Sequence, residues 1–217
     1  MKYKLVAFDV DGTLISEQVW KRLHTHFGME DDFNEKNITL YRQGKLTYSD
    51  WVKSDIDIWK KKGATKSLIK EGLKDVKLVD GAKELIQELK KMGYKLAIIS
   101  GSLNVAIEHV FPDYEDYFDY IFLNKILFDD EGNIVDVEST KFDHEGKAAA
   151  LAHIAKLEGL SLQECVFVGD NYNDVDIAKI AGLSIAFNCR DKNLAEVCDV
   201  IVNSNDMRNL LDYIHEA

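Results

Sequence analysis

Two aspartates, Asp9 and Asp11, flank Val10 near the start of the chain and run into Gly12 and Thr13. Carboxylates this close repel each other unless a cation sits between them or one carries a proton. A hard divalent cation with oxygen ligands, Mg²⁺, suits such a pair. One carboxylate can then attack phosphorus while the other shuttles a proton. The same residues also read as a turn or a helix cap, because Asp-Gly-Thr is common turn chemistry. Two later segments share the layout: an apolar run at 96–99 ends in Ser100-Gly101, and one at 166–168 ends in Gly169-Asp170. In an open α/β sheet the carboxyl ends of neighbouring strands form the ligand crevice. Two carboxylates, a hydroxyl and glycine amides are therefore expected to converge there.

The elements that must hold these residues follow from hydropathy. Continuous apolar runs at 5–8, 96–99, 120–123, 166–168, 184–187 and 200–202 predict buried, mainly parallel strands. Helical periodicity lies between them, over 85–92, 147–158, 174–181 and 207–215, with Gly93, Gly159 and Gly182 as stops. Short apolar runs at 126–128 and 134–135, joined by Asp129-Asp130-Glu131-Gly132-Asn133, predict a hairpin. Residues 15–76 carry no strand-like run; 19–27, 34–42, 48–61 and 65–71 look helical, and Thr47 to Asp50 resembles a capping box. The expected fold is α/β and Rossmann-like: a mainly parallel sheet flanked by helices, with a small helical insert after the first strand.

Composition narrows the function classes. The chain has 217 residues, 46% hydrophobic and 30% charged, an ordinary globular balance. Its formal net charge of −11 opposes binding to a phosphate backbone, so no nucleic-acid partner is expected. No apolar run approaches the roughly 18 residues of a membrane span. Three cysteines, Cys165, Cys189 and Cys198, lack motif spacing, and Cys165 reads as a small buried apolar residue. With no signal-like N-terminus, a cytoplasmic location is expected.

Four segments appear in a characteristic order: Asp-Val-Asp-Gly-Thr at 9–13, Ile-Ile-Ser-Gly-Ser at 98–102, Lys147 at a helix start, and Gly-Asp-Asn-Tyr-Asn-Asp at 169–174. Together they resemble the haloacid dehalogenase-like hydrolase superfamily over essentially the whole chain. Residues 145–159, 178–187 and Gly44-Lys45-Leu46 are similar to phosphoserine phosphatases in particular. That resemblance implies a catalytic core of 1–14 and 77–217 and a helical cap domain of 15–76. It implies Mg²⁺ as cofactor and a small phosphorylated metabolite as partner. Asp9 would be the nucleophile that forms an aspartyl-phosphate, and Asp11 the acid and base. Mg²⁺ would be held by Asp9, the Asp11 carbonyl and Asp170. Ser100, Gly101 and Asn173 would hold the phosphoryl group. Lys147 would neutralise charge beside Asp9, and Asp174 would orient Lys147 or a metal-bound water.

The cap departs from the family pattern. Phosphoserine phosphatases use a cap glutamate for the substrate amine and a cap arginine for its carboxylate. Those positions fall on Gln18, with Glu17 beside it, and on Asp55; Tyr48 is an aromatic cap residue. Asp55 is expected to repel a carboxylate, so esters with neutral or cationic leaving groups are expected to be preferred over phosphoserine. Lys53, Lys60, Lys61 and Lys62 read as a solvated helix face. His24 and His26, two apart on a helix, read as surface or packing rather than a metal pair. The expected activity is Mg²⁺-dependent hydrolysis of a small phosphomonoester. A phosphotransferase using the same aspartyl-phosphate, and a non-catalytic binding module on the same fold, are the alternatives.

Overall fold

The computed structural model describes residues 1–29, 31–142 and 146–215, without the side chains of 31–35. Glu145, which opens the 145–159 similarity, lies outside the described residues. The chain runs β1 (Leu5–Phe8), α1 (Val19–His26), α2 (Asp31–Arg42), α3 (Tyr48–Lys61), α4 (Lys66–Leu73), α5 (Ala82–Lys91), β2 (Lys95–Leu103), α6 (Asn104–Val110), β3 (Tyr120–Phe128) and β4 (Ile134–Glu138). It continues with α7 (Lys147–Leu157), β5 (Cys165–Gly169), α8 (Val175–Ile180), β6 (Leu183–Phe187), α9 (Lys192–Val197), β7 (Val200–Val202) and α10 (Leu210–His215).

Seven strands form one sheet in the order β4-β3-β2-β1-β5-β6-β7. Every pairing is parallel except that of β3 with β4, the expected hairpin. Alternate residues of a strand face opposite sides, and both sides of β1 are covered. Val6 and Phe8 join one apolar core with α5 residues Leu85, Ile86 and Leu89. Leu5 and Ala7 join a second with α7 residues Ala150, Leu151 and Ile154. Burial on both faces is why β1 reads as an unbroken apolar run. Cys165 lies in the second core as a buried free thiol.

Between β1 and α5 the regular elements are α1 to α4. Thr47 caps α3 by accepting a hydrogen bond from the Asp50 amide at 3.1 Å. Trp51, Val52, Asp55, Ile56 and Trp59 are its buried residues, a helical spacing that places them on one face. Asp55 is the charged member of that otherwise apolar stripe. Lys53, Lys60, Lys61 and Lys62 are exposed, as expected. Four expected elements differ. The runs at 120–123 and 126–128 form the single strand β3, and the helices at 174–181 and 207–215 each begin as a 3₁₀ turn, Tyr172–Asp174 and Met207–Asn209. Among the described residues, no helix is long and apolar enough to cross a membrane.

Candidate active site

The site forms where the strand order reverses. β1 pairs β2 on one side and β5 on the other, with Phe8 level with Ile98 and Val168. Asp9 follows the end of β1, Ser100 lies near the carboxyl end of β2 and Asp170 follows β5, which brings these buried residues into one crevice. Asp9 stays in register because its amide donates to the Val168 carbonyl at 3.0 Å. Gly12 has φ +89°, and a Cβ there would come within van der Waals overlap of the Asp170 carboxylate. Only glycine lets the first loop pass so close to the end of β5.

Lys147 is the first residue of α7 and is fully buried. Its Nζ donates to Asp9 Oδ1 at 2.6 Å and to Asp174 Oδ1 at 2.7 Å. Asp174 Oδ2 accepts the amides of Asp170 at 3.0 Å and Asn171 at 3.2 Å. Asp174 is thus committed to fixing Lys147 and the loop after β5. Asp9, Asp170 and Asp174 place carboxylate oxygens within 4.8 Å of one another. Both Asp170 oxygens are buried and accept no hydrogen bond among the described residues. The nearest cation to Asp170 is Arg190, with Nε 3.5 Å away on a half-exposed side chain.

Burial pushes the Asp9 and Asp170 carboxyls well above the usual carboxylate range; Lys147 opposes this, and the neighbouring carboxylates add to it. Three buried acids against one buried lysine leave negative charge uncompensated. Asp170 also lacks hydrogen-bond donors. A hard cation with oxygen ligands fits this donor set.

Asp11 is held from two directions. Its Oδ1 accepts from Ser102 Oγ at 2.5 Å and its Oδ2 from the Val19 amide at 2.9 Å, the first residue of α1. The Gln18 amide reaches the Asp11 carbonyl at 3.4 Å. Ser100 Oγ accepts from the Ser102 amide at 3.1 Å. The Gly101 carbonyl accepts from Trp20 Nε1 at 2.8 Å and Asn124 Nδ2 at 2.6 Å, and Asn124 also donates to the Tyr48 hydroxyl at 2.7 Å. Ser102 and Asn124 were not among the expected site residues.

A pocket of about 160 Å³ lies over these groups. Asp9, Asp11, Ser100, Gly101 and Asn173 line its floor, and Gln18, Trp20, His24, Tyr48, Trp51 and Asp55 its upper wall. Gln18, Tyr48 and Asp55, the positions that the family resemblance singled out, line this pocket. Glu17 is a correction: it faces away, its carboxylate 2.6 Å from Arg22, and lines a separate surface depression. Adjacent positions point in different directions, and Gln18 takes the inward one. His24 packs against Trp20 and Trp59, as expected, and also faces the pocket with Nε2 3.5 Å from Asp55 Oδ2.

A carboxylate nucleophile needs a second acid to protonate the leaving group and positive charge beside the transferred phosphoryl. This crevice offers the first two in Asp9 and Asp11, and Lys147 with a cation site for the third. The arrangement is that of a hydrolase on a Rossmann-like α/β fold working through an aspartyl-phosphate. The chain belongs to the haloacid dehalogenase-like hydrolases, whose family description matches residues 3–182. It is 33% identical over 214 residues to the phosphoserine phosphatase of Methanocaldococcus jannaschii, covering 98% of each chain. A solved phospho-aspartyl intermediate analogue of phosphoserine phosphatase superposes with a TM-score of 0.76 at 31% identity, over 99% of this chain and 100% of that one. A substrate-bound phosphoserine phosphatase complex superposes with a TM-score of 0.77 at 31% identity, over 99% of both. Within its family the chain is a phosphoric monoester hydrolase, phosphoserine phosphatase-like in sequence and fold.

Proposed function

We propose that the chain is a Mg²⁺-dependent phosphatase of a small phosphorylated metabolite, with residues 15–76 acting as a cap over a core of 1–14 and 77–217. The observation that carries this reading is the buried Asp9, clamped by Lys147 beside the hydrogen-bond-free carboxylate of Asp170. Asp9 attacks phosphorus and the ester P–O bond breaks. Asp11 gives its proton to the departing alkoxide. Asp11 then takes a proton from water as the water attacks the aspartyl-phosphate, which releases inorganic phosphate and restores Asp9. Ser100, the Gly101 amide and Asn173 hold the phosphoryl oxygens. Lys147 balances their charge, with Asp174 keeping its ammonium in place. Asp9, Asp170 and the Asp11 carbonyl would hold Mg²⁺, which supplies further positive charge at the phosphoryl group. Action in the cytoplasm belongs to the same reading, supported by the free thiols Cys165, Cys189 and Cys198.

Phosphoserine, named for the curated relatives, is the first ester to test. The experiment is phosphate release from a panel of small phosphomonoesters with Mg²⁺, together with acid trapping of a ³²P-labelled enzyme. Wild type should turn over, Asp11→Asn should accumulate label, and Asp9→Asn should do neither while remaining folded. Turnover by folded Asp9→Asn protein would sink the mechanism.

A further inference from the structure

The pocket has two ends. One is built from Asp9, Asp11 and Ser100; the other is built from α1 and α3, with Asp55, His24 and Trp51, and with Trp20 and Tyr48 reaching back towards Gly101. A leaving group attached to a phosphoryl group at Asp9 therefore shares this pocket with Asp55. The volume, about 160 Å³, is below the roughly 300–1,000 Å³ of drug-sized ligand sites, which limits that group to a few heavy atoms.

The charge of this far end is one-sided. Among the described residues, no lysine or arginine lines the pocket, and residues 30–35 and 143–145 contain neither type. The lysines of α3 stand on its exposed side. Asp55 itself is 4% exposed. It accepts from Asn37 Nδ2 at 3.3 Å and from the Trp51 side chain, with His24 Nε2 at 3.5 Å. These partners orient the carboxylate, and none of them carries a fixed positive charge. Burying a carboxylate without a cation is costly, and burial pushes the Asp55 carboxyl up to about 7. The remaining walls are the aromatic side chains of Trp20, Tyr48 and Trp51, whose ring faces attract cations.

Resting on the phosphatase reading above, we infer that this end of the pocket binds an ammonium, so that the substrate is the phosphate monoester of a short amino alcohol carrying no carboxylate. Asp55 is the counter-ion of that ammonium, and Trp20, Tyr48 and Trp51 enclose it. A second carboxylate in the leaving group would face Asp55 at close range with no cation in the wall, which disfavours phosphoserine.

The test compares kcat/KM for 2-aminoethyl phosphate, 2-hydroxyethyl phosphate and phosphoserine, with acetyl phosphate as a small acyl phosphate lacking any group to reach Asp55. Wild type should favour 2-aminoethyl phosphate over both other alkyl esters by about tenfold or more, the equivalent of roughly 1.4 kcal/mol. Asp55→Asn should collapse the amino-to-hydroxy ratio towards one, and Asp55→Arg should shift preference towards phosphoserine. A binding arm needs no turnover: calorimetry with 2-aminoethylphosphonate and propylphosphonate in the presence of Mg²⁺. The amine should bind about tenfold tighter or more to wild type and no tighter to Asp55→Asn. Wild-type preference for phosphoserine, or an amine preference that survives Asp55→Asn, overturns the inference. Loss of Asp9-dependent acetyl phosphate hydrolysis overturns the phosphatase reading instead, and the phosphonate comparison still decides the subsite.

Discussion

Ser102 gives the most discriminating test of the proton shuttle. Its hydroxyl donates to Asp11 Oδ1 at 2.5 Å, and Ser102→Ala removes that donor while leaving the Val19 amide on Oδ2. A hydrogen bond to a charged group contributes about 1.5–3 kcal/mol. At about 1.4 kcal/mol per decade, the loss of orientation should slow the step that Asp11 assists by roughly 10- to 100-fold. The leaving group decides where the loss is felt. An alkoxide must be protonated as it leaves, whereas acetate departs from acetyl phosphate as a stable anion. Rapid-quench measurement of phosphoenzyme formation should therefore show the full loss with an alkyl ester. With acetyl phosphate the loss should be less than about threefold, because general-acid help has little to offer there. Ser102→Thr keeps the hydroxyl and should recover most of the rate. Equal losses on both substrates would refute the reasoning and place the Ser102 hydroxyl on the phosphoryl group. No loss on either would show that the Val19 amide alone fixes Asp11.

Three further outcomes are expected. Lys147→Met leaves Asp9 and Asp174 buried without their shared cation, so chemical denaturation should show a loss of about 3–5 kcal/mol; a change under about 0.5 kcal/mol would deny Lys147 its electrostatic role. Chelation should abolish phosphate release reversibly, and Mg²⁺ should raise the melting temperature of wild type by mass action; an equal rise in Asp170→Asn would remove Asp170 from the cation site. The Asp55 carboxyl, raised from 3.8 to about 7, lends stability that is fully present below 3.8 and is lost as pH rises through 7, on the order of 4 kcal/mol in all. Asp55→Asn should therefore gain stability over wild type between pH 4 and pH 8 by denaturant titration. His24, the titratable side chain facing Asp55, is to be held constant, and a pH-independent difference would refute the burial argument.

The parts of the site that were legible in the sequence share a physical cause. Asp9, Ser100 and Asp170 each end or follow an apolar run, because strands buried on both faces leave no polar residue until the chain reaches the crevice. Asp55 lines the pocket, and its spacing with Trp51, Val52, Ile56 and Trp59 agrees with the buried face of α3. Asn124 was hidden for the opposite reason. It is fully buried inside β3, where a polar residue interrupts the apolar pattern and splits one strand into two apparent runs. Its three hydrogen bonds go to Gly101, Tyr48 and Thr140, each distant in sequence, so nothing local signals them. Ser102 and His24 are likewise defined by partners on other elements, Asp11 and Asp55. Helix α6 escaped detection because it follows β2 directly with no side-chain cap; α9 also went unpredicted, although Asp191 caps it by accepting from the Leu194 amide.

These distant partners bear on how selection of the leaving group connects to chemistry. The Val19 amide binds Asp11, Trp20 binds the Gly101 carbonyl, and Tyr48 receives Asn124, which also holds Gly101. The first two join α1 to Asp11 and to Gly101 near the carboxyl end of β2, and the third joins α3 to β3. Withdrawing α1 from the sheet would break the first two together, freeing Asp11 and the Gly101 peptide at once. The same two helices carry His24 and Asp55 on the pocket wall. A leaving group that holds α1 and α3 in place therefore also holds Asp11 and Gly101 in their working positions. Binding energy gained at Asp55 is then available to kcat as well as KM, since it orients groups that act only in the transition state.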